Sequence, residues 1–179
     1  MNHVMLDLET MGNGPTAAIV AIGACVFDQH GVGAGGPQFG ISVDLDSAMK
    51  HGLHVDASTV LWWMRQSDTA RERTFPTDAP ALPQAIDLFN LWIREQDSDV
   101  VVWGNGATFD NVIIRSAFRA VGLEAPWSYK NDRCYRTLVN LLPEHRRPTL
   151  VPYGMAHYAL DDAITQVLHL QKVWKELGL

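Results

Sequence analysis

Residues 18–27 read AIVAIGACVF, an unbroken run of small, β-branched and aromatic residues with no charge. A run of this kind suits a strand in the middle of a sheet, covered on both faces. Shorter strand-like segments lie on either side of it, at 4–8 and 38–43, and the turn formers Gly12, Asn13, Gly14 and Pro15 join the first to the second. Three strands this close along the chain predict an antiparallel meander. The period then changes. Over 56–64 and 82–94 apolar residues recur at three- and four-residue spacing, which predicts helices. A fourth strand over 100–103 ends at Gly104-Asn105-Gly106. Helices are expected over 108–121, with Thr108 as N-cap and Gly122 as stop, over 133–142 before Pro143, and over 157–177. The fold class read from this order is α/β, a mixed β-sheet flanked by α-helices. At 179 residues, against about 100–200 per domain, residues 1–179 are expected to form a single domain.

Several function classes drop out on composition. With 14 basic and 20 acidic residues the net charge is −6, which excludes a protein that coats nucleic acid through bulk positive charge. Gripping a few phosphates through metal ions remains open. Cys25 and Cys134 are too few for a disulfide framework or a zinc site and read as buried thiols of a reducing compartment. No apolar run approaches the roughly 18 residues of a membrane span. The start, Met1-Asn2-His3-Val4, lacks the basic and apolar regions of a signal peptide. The expected location is the cytoplasm. Gly31-Val32-Gly33-Ala34-Gly35-Gly36 matches the spacing of a dinucleotide-binding loop, but Pro37 and a strand-like segment follow where a helix is required. It reads as a hairpin loop.

Three acidic clusters carry the chemistry. Asp7 and Glu9 are two apart on a strand, so both point to one face while Leu6 and Leu8 point to the other. Burying two such carboxylates is costly unless a cation sits between them; a strand end running into solvent explains the pair equally well. Asp110 opens a helix just past a strand end, a place where dipole stabilisation and ligand binding both favour an acid. The third cluster, His157 to Asp162, puts a histidine at the start of a helix with two acids in its first turns. Asp161 lies nearly in line with His157 on an ideal helix and Asp162 about 140° around, at ~100° per residue. Spacing alone does not choose between them. Oxygen ligands from several elements, with one histidine and no thiolate, suit Mg²⁺ or Mn²⁺.

Asp-Leu-Glu-Thr at 7–10, Asp110 after a strand, and His-x-Ala-x-x-Asp-Ala at 157–163 resemble, in order, the DEDDh class of 3′→5′ exonucleases. The resemblance runs from residue 4 to about 170. The wording of 6–27 and 59–67 is most similar to the compact bacterial and phage branch typified by a mycobacterial 3′→5′ exoribonuclease. It implies a ribonuclease H-like sheet, with the first three strands antiparallel and further strands parallel. It implies two divalent ions, Mg²⁺ or Mn²⁺, on Asp7, Glu9, Asp110 and Asp162, with Asp7 bridging both. Glu9 and Asp162 would help hold the ion that activates water, and Asp110 would act on the second. His157 would be the general base, and the motif selects Asp162 over Asp161 as the acid before Ala163. The implied reaction is two-metal-ion hydrolysis of the last phosphodiester, releasing nucleoside 5′-monophosphates. The implied partner is the 3′ end of single-stranded nucleic acid, RNA in preference to DNA; a homodimer stays open.

Substrate contacts are less sharply marked. Residues 129–148 hold five basic residues, Arg133 and Arg136 among them, against two acidic ones, a basic island able to track a strand or simply a solvated helix face. Trp62 and Trp63 point about 100° apart on a helix, so one can stack on a base while the other is core, although burial of both is the stronger expectation. Thr10 follows the acidic pair, and Asn105 and Asn111 flank Asp110, where turn formation explains the asparagines as well as substrate binding does. The alternatives are a DNA-directed exonuclease, a nuclease that recycles very short oligonucleotides, and a polymerase-associated proofreading or adaptor module without turnover.

Overall fold

The uncharged run becomes an interior strand. In the computed structural model, which describes residues 3–31, 33–96 and 99–179, a mixed sheet has the order β3-β2-β1-β4-β5. Met1 and Asn2 of the chain start, and Val32 of the Gly-rich loop, lie outside the described residues. Strand β1 (His3–Thr10) pairs antiparallel with β2 (Ile19–Phe27), and β2 with β3 (Gln38–Ser42), which is the expected meander. On the other side β1 pairs in parallel with β4 (Val101–Gly104), and β4 with β5 (Asp132–Cys134). Helices α1 (Leu45–Lys50), α2 (Ala57–Trp63), α3 (Asp68–Thr74) and α4 (Leu82–Arg94) separate β3 from β4. Helix α5 (Asp110–Ala120) follows β4, α6 (Tyr135–Val139) follows β5, and α7 (Ala159–Leu177) closes the chain. No helix among the described residues is long and apolar enough to cross a membrane.

Alternation along β1 divides the core into two layers. Val4, Leu6 and Leu8 pack on one face with Ile86 and Phe89 of α4 and Ile113 of α5. Met5 faces the other way, with Cys25, Trp103, and Val167 and Leu170 of α7. Asp7 and Glu9 share the Met5 face by strand periodicity, so they lie on the side that α7 covers. Gly23, opposite Asp7, is the reason α7 comes so close. A Cβ at Gly23 would lie 2.1 Å from the Ala159 carbonyl carbon. The first turn of α7 therefore rests directly on the sheet.

Where the elements differ from expectation, tertiary contacts decide. Residues 132–134 are strand, not the start of a helix over 133–142. Arg115 pairs with Asp132 at 2.9 Å and the Trp127 indole donates to it at 2.8 Å, holding the segment extended beside β4. Only then does the half-buried Cys134, whose Sγ accepts from the Thr137 N–H, cap α6. Thr108 is not the cap of α5. The helix begins at Asp110, and the Gly106 carbonyl accepts from the N–H groups of Phe109 at 2.7 Å and Asp110 at 3.1 Å. His157 precedes α7 by two residues and adopts φ 63°. The short α1 and α3 had no clear periodic signal.

Candidate active site

Three elements bring the acidic clusters together. Asp7 and Glu9 come from the last half of β1 and are buried beside Gly23 and Ala21 of β2. Asp110, 2% exposed, arrives from the first turn of α5 because β4 ends in Gly104 beneath it. A Cβ at Gly104 would come within 2.9 Å of the Asp110 Cβ. The Gly106 N–H donates to Asp110 Oδ2 at 3.2 Å and fixes the carboxylate. Asp162 stands on α7, and its Oδ2 accepts the His157 N–H at 2.9 Å. Where α7 starts sets which of the two aspartates faces Glu9. Donor atoms of Glu9, His157 and Asp162 lie within 4.8 Å of one another, while Asp161 turns away to accept the Met155 N–H at 2.8 Å.

These carboxylates crowd one another. Burial first, then Asp110, Glu9 and Asp162, pushes the Asp7 carboxyl well above the usual range, and a hydrogen bond from Gln166 opposes the rise. Burial, with Asp162 and Asp110, lifts Glu9 to about 8, and burial lifts Asp110 to about 6. Asp162 is also raised by burial, against the bond from His157. Among the described residues no lysine or arginine pairs with any of the four. Like charges packed this way without a counter-charge are strongly unfavourable. An oxygen-rich donor set with one imidazole fits a hard divalent cation, which would offset that cost when bound.

The cleft around them has a volume of about 650 Å³ and is lined by Asn105, Phe109, Tyr135, Arg136 and Leu150 besides the acids and His157. A side compartment of about 410 Å³ opens from it between Leu8, Thr10, Phe109 and Trp62. Trp62 is 40% exposed there, whereas Trp63 is 3% exposed and its indole donates to the Thr10 carbonyl at 3.0 Å. One tryptophan is wall and the other is core. Thr10 spends its hydroxyl on the Gly12 carbonyl at 2.7 Å. Asn111 does not reach the cleft; it is buried under Gly104 and donates to the Val102 carbonyl at 3.1 Å. Arg133 also stays away, because its place on β5 turns it outward to the Lys130 and Asp132 carbonyls. Gln166 was missed. Its Nε2 donates to Asp7 Oδ1 at 2.6 Å, and its position four residues after Asp162, on the same helix face, is the signal that marks it.

Acids and a histidine converge at the ends of β1 and β4, and the class to which the chain is assigned is the 3′→5′ exonucleases, enzymes that act on nucleic-acid ends. A family model described as the 3′-5′ exoribonuclease Rv2179c-like domain matches residues 2–174, and the chain belongs to that family. It is 28% identical to an exodeoxyribonuclease of Enterobacteria phage T4, over 96% of this chain and 88% of the phage protein. Its fold is similar to the nuclease domain of 3′hExo, a DEDDh family member solved with rAMP bound. The TM-score is 0.63 at 13% identity, covering 99% of this chain and 92% of that one. It is also similar to apo exonuclease I, with TM-score 0.62 at 15% identity, over 97% of this chain and 42% of the other. The ribonuclease H-like fold expected from the motifs is the fold observed.

Proposed function

We propose that this exonuclease removes nucleotides one at a time from the 3′ end of single-stranded RNA, with His157 as general base and two divalent ions, Mg²⁺ or Mn²⁺, held by Asp7, Glu9, Asp110 and Asp162. The observation that carries the reading is the gathering of those four acids, from β1, α5 and α7, in one cleft where, among the described residues, no lysine or arginine forms an ion pair with any of them. Bound ions would supply that positive charge, polarise the phosphate and lower the pKa of water. The protein's own groups do the rest. His157 stands beside Glu9 and Asp162, where it takes the proton of the attacking water. Gln166 holds one oxygen of Asp7, so the carboxylate presents a fixed face to the cleft. Trp62 and Phe109 offer apolar walls for the last base, and Arg136, at the mouth, offers its guanidinium to a phosphate further along the strand.

RNA is supported by the description of the family; DNA is the second reading, supported by the phage relative. Matched RNA and DNA strands, labelled at the 5′ end and followed by gel and mass spectrometry, test both. The expected result is stepwise shortening that is faster on RNA, yields 5′-monophosphates, stops in EDTA and returns with Mg²⁺ or Mn²⁺. Faster DNA cleavage favours the second reading. Cleavage confined to dimers means oligonucleotide recycling, and binding without cleavage means an adaptor.

A further inference from the structure

His157 is held in an unusual way for a residue at a reaction centre. It belongs to an irregular strap, 147–158, and its φ of 63° is one that side chains other than glycine rarely adopt. Its described hydrogen bonds run through the backbone: the N–H donates to Asp162 at 2.9 Å, and the carbonyl accepts from Thr74 Oγ1 at 3.4 Å. The ring is braced instead by indoles, at longer range by Trp63, with centroids 6.5 Å apart and planes at 77°, and closely by Trp62. Trp62 meets it edge-on, with centroids 4.9 Å apart and planes at 86°. Behind it, Trp62 meets Trp63 at 4.9 Å and 81°. Trp63 is anchored in the core through Thr10. Trp62 has no described anchor of that kind and remains part-exposed to the side compartment beside Leu8 and Phe109.

The same indole is thus the wall of an aromatic-lined pocket and the brace of the His157 ring. We propose that Trp62 is a positioning residue: a base seated in the side compartment immobilises the indole, and the indole then holds the His157 ring toward Glu9 and Asp162. A strand whose last sugar carries no base binds through its phosphates but turns over slowly, because the brace is then held on the Trp63 side only. The coupling rests on His157 being the general base, and it makes a base-bearing 3′ nucleotide a requirement of the rate rather than of affinity alone.

The test compares kcat and KM for oligonucleotides that end in an ordinary nucleotide or in an abasic one, using the Mg²⁺-loaded wild type, Trp62→Phe, Trp62→Ala and His157→Ala. For the wild type, removing the base should lower kcat by roughly ten- to a hundredfold, the loss a misplaced catalytic group produces. Trp62→Ala should bring kcat on the ordinary end down to the abasic level and abolish the difference between the two ends. Trp62→Phe, which keeps a ring against His157, should restore most of both. Combining Trp62→Ala with His157→Ala should cost no more than His157→Ala alone. Trp62→Ala that raises KM and leaves kcat unchanged, or that keeps the wild-type ratio between ordinary and abasic ends, overturns the coupling. If His157→Ala itself retains full kcat, the general-base reading fails first, and that outcome is distinct from an active-site histidine whose rate ignores Trp62.

Discussion

The two walls of the cleft are built by different means. Asp7, Glu9 and Asp110 stand on β1 and at the start of α5, where the backbone is fixed by the sheet ladder and the Gly106 turn. The opposite wall, the strap 147–158, has no ladder. It is stitched to α7 by single hydrogen bonds: His169 to the Pro148 carbonyl at 2.7 Å, the Tyr153 N–H to Thr165 at 2.9 Å, and the Met155 and His157 N–H groups to Asp161 and Asp162. Groups that must stay close despite mutual repulsion are put on rigid backbone. His157, the general base proposed above, hangs where a few side chains set its pose. Substitution on the first wall should therefore alter ion binding and stability together, and on the second should alter rate alone.

The largest effect is expected from Asp7→Asn. Activity should fall below detection, because Asp7 is the acid on which Asp110, Glu9 and Asp162 all act. Without metal, the same variant should melt higher than the wild type, since a crowded charge has been removed. The pH dependence follows from the raised acids. Unfolded, Glu9 releases its proton near 4.5, whereas folded it keeps it to about 8. The folded state then binds more protons between those values, so stability falls as pH rises through the window. Thermal melts of the wild type in EDTA should decline over that range, and Mg²⁺ should reverse the decline. A melting temperature indifferent to pH, metal and Asp7→Asn alike would break the contrast between the walls at its first step.

The contrast also explains what was legible in the sequence. The rigid wall announces itself: the uncharged run of β2, the alternation around Asp7 and Glu9, and the Gly-Asn-Gly stop before Asp110 are local signals of local structure. Strand β5 was not legible, because Asp132, Arg133 and Cys134 carry no strand signal and owe their extended form to Arg115 and Trp127. Nor was the phase of α7, which depends on Gly23 of a different element admitting Ala159. Adjacent Trp62 and Trp63 look alike in the sequence, and the Thr10 carbonyl, which accepts from the Trp63 indole, helps set which of them is core. Asn111 was plausible beside Asp110, yet the turn at Gly104 carries it beneath the sheet.

The next effect in size concerns His157. As a base, its replacement in His157→Ala should lower kcat by roughly 10²–10⁴-fold, with the calorimetric titration of Mn²⁺ nearly unchanged. The closeness of its ring to Glu9 and Asp162 makes the other outcome concrete. A fall in Mn²⁺ affinity parallel to the fall in rate would make His157 a ligand and would move it functionally to the first wall.

The smallest effect sharpens the comparison most, because it separates neighbouring acids on one helix. Asp162→Asn should cost both Mn²⁺ affinity and rate, since Asp162 faces Glu9. Asp161→Asn should do little: the amide oxygen still accepts the Met155 N–H, the bond that its carboxylate makes at 2.8 Å. Asp161→Ala removes that stitch. A lost hydrogen bond of this kind is worth about 0.5–1.5 kcal/mol, and here it is lost from the strap that aims His157. The expected phenotype is a severalfold drop in kcat with Mn²⁺ titrating as in the wild type, and earlier proteolytic nicking within 147–158. If Asp161→Ala weakens Mn²⁺ as much as Asp162→Asn does, the acid facing the ions is one residue earlier, and the first turn of α7 sits on Gly23 in a different phase.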